Sequence, residues 1–306
     1  MTTCKKLAES PGLTSIPSLY TYNTNPKDEA ISEDPEDPIP VIDLSLLTSG
    51  TPHQQSQAIQ ELGKACKDWG FFLLINHGVP ERQMEAVIEG IRGFFDLTEE
   101  EKREFEGKNF LDPIREVSMD YCKRIREVAR ELLKAISMSL GLEPCYIEKA
   151  TNLESGLQLF VANLYPPCPQ PELAMGLPPH SDHGLLTLLM ENGIGGLQTQ
   201  HNGNWVNVNA IPNSFLVNIA DQLEILSNGK YKSNVHRAVV NSKATRISLG
   251  IGNGPSLETM IRPAPELESK EQAAAYIGMK YKDYMELQQS NQLDGKSCLD
   301  RVRAFN

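Results

Sequence analysis

The chain lacks any run of about 18 apolar residues, and its first ten residues lack the apolar stretch of a signal peptide. Both absences argue against a membrane-spanning or secreted protein and favour the cytoplasm. Basic charge is not in excess either, because 29 Lys and Arg face 40 Asp and Glu, for a net charge of -11. That balance opposes non-specific attraction to nucleic acid or to an anionic membrane.

Short metal and disulfide motifs are also missing. The six cysteines include no Cys-x-x-Cys pair, which in a chain of 306 residues indicates reduced thiols and not a disulfide framework or structural zinc site. The His-Glu-x-x-His motif of zinc proteases is absent, and no internal repeat is visible. A mass of 34.0 kDa suits one catalytic unit with a substantial core.

The first half of the chain predicts an arm followed by helices. Residues 1–38 are rich in Pro, Asp, Glu, Asn and Ser and predict an extended N-terminal arm. Apolar density rises at residue 39, and residues 39–145 predict a region of helices with short strands. Within it, apolar spacing predicts helices over 58–69, 84–95 and 118–140, and a compact apolar run predicts a buried strand over 71–75.

The second half predicts a β-rich core over residues 155–260. Short β-prone segments recur there every 8–12 residues or so, as in a sandwich or barrel. The predicted strands cover residues 157–163, 184–190, 196–199, 205–208, 215–219, 233–239 and 247–252. A C-terminal helical segment over 261–306, with a helix from Tyr281 to Gln289, completes the chain. Early helices followed by strands predict helices packed on a double-sheet core.

Two histidines and a carboxylate in this half predict a metal site. His180 and Asp182 are two residues apart, so in an extended segment their side chains point to the same side. His236 follows after 53 further residues near the end of a predicted strand and supplies a third ligand. Such a set suits non-haem Fe(II), which keeps open positions opposite three protein ligands. Zinc is the alternative metal, because zinc enzymes also use two histidines and a carboxylate.

Four more residues predict a pocket for a dicarboxylate. Arg246 carries a permanent charge and a planar fork of donors, and Ser248 lies on the same strand face. A molecule such as 2-oxoglutarate could chelate the metal at one end and bind Arg246 and Ser248 at the other. Asn163 and Tyr165, which also share a strand face, could add an amide and a hydroxyl to this pocket.

These residues resemble the plant 2-oxoglutarate- and Fe(II)-dependent dioxygenases that include flavonoid, gibberellin and alkaloid hydroxylases. The similarity covers residues 39 to 290. It includes, in the family's order, IPVID at 39–43, WGFF through NHGV at 69–79, NLYPPCP at 163–169, LEILSNG at 223–229 and YKS at 231–233. The resemblance implies a mixed, mainly β fold with a double-stranded β-helix (jelly-roll) core flanked by N-terminal helices.

The resemblance also implies a reaction and a role for each site residue. His180, Asp182 and His236 would bind Fe(II). Arg246 and Ser248 would bind the distal carboxylate of 2-oxoglutarate, with help from Tyr165 and Asn163. With O2 as oxidant and ascorbate as reductant, such enzymes oxidise, most often by hydroxylation, a small metabolite of secondary metabolism and release succinate and CO2. No catalytic side chain beyond the metal centre is implied, and we expect a cytoplasmic monomer.

One departure from the family pattern lies around residues 113–118. Family members carry several tens more residues before the Tyr121 helix, including strands that extend the main sheet and wall the substrate pocket. A splice-type or gene-model deletion here predicts exposed sheet edges, a wider mouth and weakened or lost turnover. Two alternatives to an active oxygenase follow, namely an impaired shortened variant that only binds a ligand, and a zinc hydrolase that uses the same three ligands.

Overall fold

The computed structural model describes residues 3–22, 31–32, 38–105, 115–268, 273–289 and 295–304. The predicted shortening around residues 113–118 falls partly outside these ranges. In the described ranges, no helix has the length and apolar content needed to cross a membrane. All six cysteines are described, and none of them forms a disulfide.

Two β-sheets form the centre of the protein. The strands are β1 (Ile31–Ser32), β2 (Val41–Asp43), β3 (Phe71–Ile75), β4 (Gln158–Tyr165), β5 (Leu177–His180), β6 (Leu186–Glu191), β7 (Leu197–His201), β8 (Asn204–Asn207), β9 (Phe215–Ile219), β10 (His236–Ala238), β11 (Arg246–Asn253), β12 (Met260–Ile261) and β13 (Met279–Lys280). The larger sheet has the order β2-β3-β9-β6-β11-β4, and the smaller has the order β1-β8-β7-β10-β5. These two sheets form the predicted jelly-roll core, which in the described residues is not a closed barrel.

Helices from the first half of the chain cover one face of the larger sheet. The helices of the first half are α1 (Cys4–Ala8), α2 (Leu44–Ser49), α3 (Pro52–Asp68), α4 (Glu81–Asp96), α5 (Glu99–Arg103), α6 (Arg115–Ser139) and α7 (Tyr146–Ala150), and α8 (Asp221–Leu226), α9 (Tyr281–Gln289) and α10 (Ser297–Arg301) follow later in the chain. One hydrophobic cluster joins Leu62, Ile91 and Leu132 of these helices to Leu188 and Val217 of the sheet. The apolar helix faces that were predicted from spacing are therefore the faces that this sheet buries.

The N-terminal arm is not extended throughout. The prediction for residues 1–38 is wrong for Cys4–Ala8, which form α1, where Thr3 caps the first turn. Lys5 of α1 reaches the end of α4, because its ammonium group donates to the backbone oxygen of Phe95 at 2.9 Å. Further along the arm, β1 pairs with β8, so the arm adds a strand to the smaller sheet.

Strand β4 lies at the edge of the larger sheet. In the described residues it pairs along its length with β11, and Val161 at its middle is 47% exposed. Its sequence, QLFVANLY, contains no charge and no proline, the residues that usually protect an edge strand from further pairing. A shortened chain of the kind predicted around residues 113–118 would leave this edge without further strands.

The C-terminal segment is anchored to the core by a buried carboxylate. Glu224 of α8 is fully buried and accepts from the ammonium group of Lys296 and from the hydroxyl of Tyr276, each at 2.7 Å. Next to Lys296, the backbone of Gly295 forms a bridge with that of His180 at the end of β5. The predicted C-terminal helical segment, which also contains β13, therefore packs directly on a strand that bears a predicted metal ligand.

We expect Lys296→Met to lower the free energy of unfolding by about 1–3 kcal/mol, because Glu224 then loses its closest cation while remaining buried. Urea denaturation measures this change. Lys280→Met is the matched control, since Lys280 pairs with Glu258 at the surface, where the two side chains are 42% and 63% exposed. The control should leave the denaturation midpoint unchanged, and equal midpoints for both variants would contradict the anchoring role.

Candidate functional site

His180, Asp182 and His236 come together at one point. His180 is the last residue of β5, and His236 is the first residue of β10 rather than near the end of a strand as predicted. Because β5 and β10 pair antiparallel with His180 opposite His236, the two ring centroids are 4.3 Å apart. The Nε2 atom of each ring is 3.8 Å from the same oxygen of Asp182, Oδ1.

Backbone carbonyl groups orient both imidazole rings. The Nδ1 atom of His180 lies 2.8 Å from the oxygen of Pro178, and that of His236 lies 3.3 Å from the oxygen of Asn234. A protonated Nδ1 donates to each carbonyl, so each Nε2 atom keeps its lone pair. Both lone pairs therefore belong to the atoms that face Asp182.

The protonation states of this cluster suit metal binding. Burial disfavours the charged form of Asp182, but the adjacent His236 and His180 outweigh it and lower the pKa of the carboxyl group. Burial and the neighbouring His180 lower the pKa of His236 to about 4. At neutral pH the cluster thus offers a carboxylate and a neutral imidazole, the forms that coordinate metals.

The donor set fits a divalent metal ion. Two imidazole nitrogens and one carboxylate oxygen lie within 4.8 Å of one another, and they are the one such group found in the described residues. Non-haem Fe(II) and catalytic zinc both accept two histidines and a carboxylate. The geometry alone supports a metal site that fits Fe(II).

The four residues predicted to bind a dicarboxylate share one face of the larger sheet. Arg246 and Ser248 are buried on β11, where the register with β4 places Tyr165 opposite Arg246 and Asn163 opposite Ser248. Residues paired in this way have side chains on the same face. The guanidinium carbon of Arg246 is 5.1 Å from the centroid of the Tyr165 ring, and Nη1 donates to Ser248 Oγ at 3.2 Å.

Two polar residues at the site were not predicted from the sequence. The side-chain amide of Asn218 in β9 donates to Oδ2 of Asp182 at 3.4 Å. Glu191, the last residue of β6, accepts from Nε and Nη2 of Arg246 at 3.0 and 2.9 Å. Each is a polar residue in a largely apolar, buried strand, and that pattern is the signal that could have identified it, because buried polar groups require partners.

His183 connects the C-terminal helix α9 to the site. The sequence predicts a pocket or supporting residue at this position. Its Nδ1 atom lies 2.7 Å from the hydroxyl oxygen of Tyr281, the first residue of α9, and burial lowers the pKa of the imidazole. His183 therefore holds the end of α9 beside the three predicted metal ligands.

Known proteins that resemble this chain reveal its family. The family model of the 2OG-Fe(II) oxygenase superfamily matches residues 156–251, and that of the non-haem dioxygenase in morphine synthesis, N-terminal region, matches residues 39–132. The 2-oxoglutarate-dependent dioxygenase 19 of Oryza sativa subsp. japonica is 41% identical over 313 positions, which cover 90% of this chain and 93% of that relative. The chain belongs to the 2-oxoglutarate- and Fe(II)-dependent dioxygenases.

Two further matches extend over nearly all of this dioxygenase. Thebaine 6-O-demethylase of Papaver somniferum is 35% identical over 339 positions, covering 95% of this chain and 93% of that protein. The solved structure of JOX2 in complex with 2OG, Fe and JA has a TM-score of 0.88 and 29% identity, and covers 100% of this chain and 98% of JOX2. The dioxygenase is therefore an oxidoreductase that uses Fe(II), 2-oxoglutarate and O2, and ascorbate is the reductant typical of the family.

A glycine makes room for the side chain of Arg246. Gly196 has a φ of +104°, and a Cβ atom there would lie 2.9 Å from the backbone oxygen of Val239 and 3.3 Å from Cδ of Arg246. We expect Gly196→Ala to cost about 2–4 kcal/mol of stability in urea denaturation. Gly193→Ala should cost about 1 kcal/mol, because Gly193 has a φ of +77° but no atom within 4 Å of the added carbon. Equal losses of stability in Gly196→Ala and Gly193→Ala would show that the close approach of Val239 and Arg246 to Gly196 does not affect stability.

Proposed function

We propose that this dioxygenase binds Fe(II) with His180, Asp182 and His236. The observation that carries the assignment is the convergence of two Nε2 atoms on one oxygen of Asp182, each at 3.8 Å, with both Nδ1 atoms directed at carbonyl oxygens. When bound, the metal supplies the oxidative chemistry, and the protein supplies binding, orientation and exclusion of side reactions. Three protein ligands would leave coordination positions open for the co-substrate and O2.

We further propose that Arg246 and Ser248 bind the distal carboxylate of 2-oxoglutarate. A buried guanidinium group beside a hydroxyl suits a carboxylate, because the hydrogen bonds are charge-assisted and water does not compete. Tyr165 and Asn163 would assist from the neighbouring strand β4, to which they bring a hydroxyl and an amide on the same face. The anchored carboxylate would keep the 2-oxo acid end of the molecule directed at the metal.

The proposed reaction is the oxidation, most often the hydroxylation, of a small and largely apolar plant metabolite such as a flavonoid, hormone or alkaloid. Succinate and CO2 are the co-products. The similarity to an alkaloid demethylase along nearly the whole chain supports this substrate class. The zinc hydrolase considered from the ligands alone loses its support, because the family is one of iron oxygenases.

We also propose that the dioxygenase acts as a monomer in the cytoplasm, without nucleic-acid or membrane partners. The net charge of -11 supports the absence of nucleic-acid and membrane partners, since it opposes attraction to phosphate groups of nucleic acids and lipids. The small-molecule substrate would then be the main partner of the site.

A second candidate function is that of a ligand-binding protein with impaired turnover. The alignment with thebaine 6-O-demethylase is 339 positions long, whereas 95% of this 306-residue chain is about 291 residues, so about 48 positions have no counterpart here. The alignment with the rice relative is 313 positions long and includes 90% of this chain, or about 275 residues. About 38 of its positions therefore have no counterpart here. These differences support the absence of several tens of residues from this chain, and the departure from the family pattern is the reason for placing them around 113–118.

We expect His236→Ala to lower the iron content of anaerobically loaded protein at least about tenfold and to abolish the release of succinate from 2-oxoglutarate, because one of three ligands is lost. His53→Ala removes an exposed imidazole from α3 and should change neither quantity. Metal analysis and a succinate assay with Fe(II), ascorbate and O2 measure both effects. An unchanged iron content in His236→Ala would reject the ligand assignment. Native protein that loads iron without releasing succinate would favour the ligand-binding function.

Restoring the missing segment tests the proposed deletion. We expect insertion of the corresponding residues of the rice relative near residue 113 to raise the melting temperature and to increase succinate release in the presence of substrate. The physical reason is that new strands would pair with the edge at β4 and narrow the mouth of the site. Iron content should stay the same, because the proposed ligands lie on β5 and β10 of the smaller sheet and just beyond β5. If the insertion changed neither the melting temperature nor the turnover, the proposed deletion would be contradicted.

A further inference from the structure

Glu191 and Arg246 form a buried ion pair next to the proposed co-substrate pocket. Their side chains are 3% and 2% exposed, and both Nε and Nη2 of Arg246 donate to Oε2 of Glu191, at 3.0 and 2.9 Å. A buried charge is costly unless a partner compensates it. The pair therefore holds the guanidinium group of Arg246 in one orientation.

The loop between β6 and β7 supports this pair from the other side. The second carboxylate oxygen of Glu191, Oε1, accepts from the backbone N–H of Gly195 at 3.2 Å. Both carboxylate oxygens of Glu191 are thus engaged by donors on neighbouring elements. Rotation of Glu191 away from Arg246 would break all three hydrogen bonds together.

The ion pair also determines which edge of the guanidinium group can receive another carboxylate. An arginine offers two edges for a fork, one that includes Nε and one formed by Nη1 and Nη2. Glu191 occupies the first edge, and Nη1 on the second edge already contacts Ser248. A carboxylate that binds Arg246 must therefore approach the edge formed by Nη1 and Nη2, where the hydroxyl of Ser248 can join it.

We propose that Glu191 is a positioning residue for 2-oxoglutarate that sets both the orientation of Arg246 and the strength of its attraction for the distal carboxylate. This inference rests on the proposed role of Arg246 in binding that carboxylate. In the ligand-free protein, Glu191 neutralises a buried cation and stabilises the empty pocket. In the complex, the carboxylates of Glu191 and of the ligand share one cation and repel each other, so Glu191 weakens co-substrate binding.

Glu191→Gln separates charge from orientation. Its side-chain oxygen can still accept from Nε and Nη2 of Arg246, whereas the negative charge and the hydrogen bond from the backbone N–H of Gly195 are lost. We expect the Kd of the Mn(II)-loaded variant for 2-oxoglutarate, measured by calorimetry without O2, to fall about five- to tenfold. The ligand-free variant should melt at a lower temperature, because the cation of Arg246 is no longer neutralised. A purely structural role predicts the lower melting temperature without tighter binding.

Two controls isolate the cause. The Kd for 2-oxobutanoate, which has the same 2-oxo acid end but no distal carboxylate, should be the same for Glu191→Gln and the native protein. Glu191→Asp keeps the charge at a shorter reach, so it should show no tightening for 2-oxoglutarate. A Kd for 2-oxoglutarate that is unchanged or higher in Glu191→Gln would overturn the inference, as would equal tightening for both acids or in Glu191→Asp.

Arg246→Lys tells failure of this inference apart from failure of the proposed pocket. Lysine keeps a cation opposite Glu191, so the variant should fold, but it lacks the planar fork. We expect its Kd for 2-oxoglutarate to rise at least tenfold, because about one charge-assisted hydrogen bond to the distal carboxylate is lost. Native-like binding in Arg246→Lys would reject Arg246 as the carboxylate site, whereas weaker binding there with no tightening in Glu191→Gln would reject only the role of Glu191.

Discussion

The antiparallel pairing of β5 with β10 is the constraint on which the rest of the site depends. It places His180 opposite His236 across two short strands of the smaller sheet. Because the partners are on neighbouring strands, the separation of their rings is set by backbone hydrogen bonds and not by flexible loops. Asp182, two residues beyond β5, then needs only the local turn to bring its carboxylate to both rings.

Compensation of buried charge explains how the surrounding elements hold this pair of strands. Glu191 is balanced by Arg246 on the neighbouring strand β11, and Asp182 accepts a hydrogen bond from the amide of Asn218 and faces the imidazoles of His180 and His236. Glu224 is balanced by Lys296 from the C-terminal segment. Since each unpaired carboxylate would be costly in the interior, each pair ties a separate part of the chain to the site. The site is therefore built from the larger sheet, the smaller sheet and the C-terminal segment together.

Local patterns predicted the regular elements well where a segment is apolar throughout or along one face. The strand over 71–75 and the helix from Tyr281 to Gln289 have the predicted bounds, and the boundaries of α6 differ by only a few residues. Strand β5 was missed because its sequence, LPPH, contains two prolines, which argue against a strand in any single-sequence reading. Helix α8 was missed because all six of its residues are buried, so it has no alternation of apolar and polar faces.

The sequence by itself determined the family and the fold class and predicted the order of the candidate ligands, because a metal and a dicarboxylate demand particular side chains at recognisable spacing. His180, Asp182, His236, Arg246 and Ser248 could be named from that pattern. Only the tertiary structure decided which atoms face one another, including the pairing of Glu191 with Arg246 and the anchoring of the C-terminal segment at Glu224. Such contacts join residues 55 or more positions apart, and neither local spacing nor periodicity encodes which distant strands become neighbours.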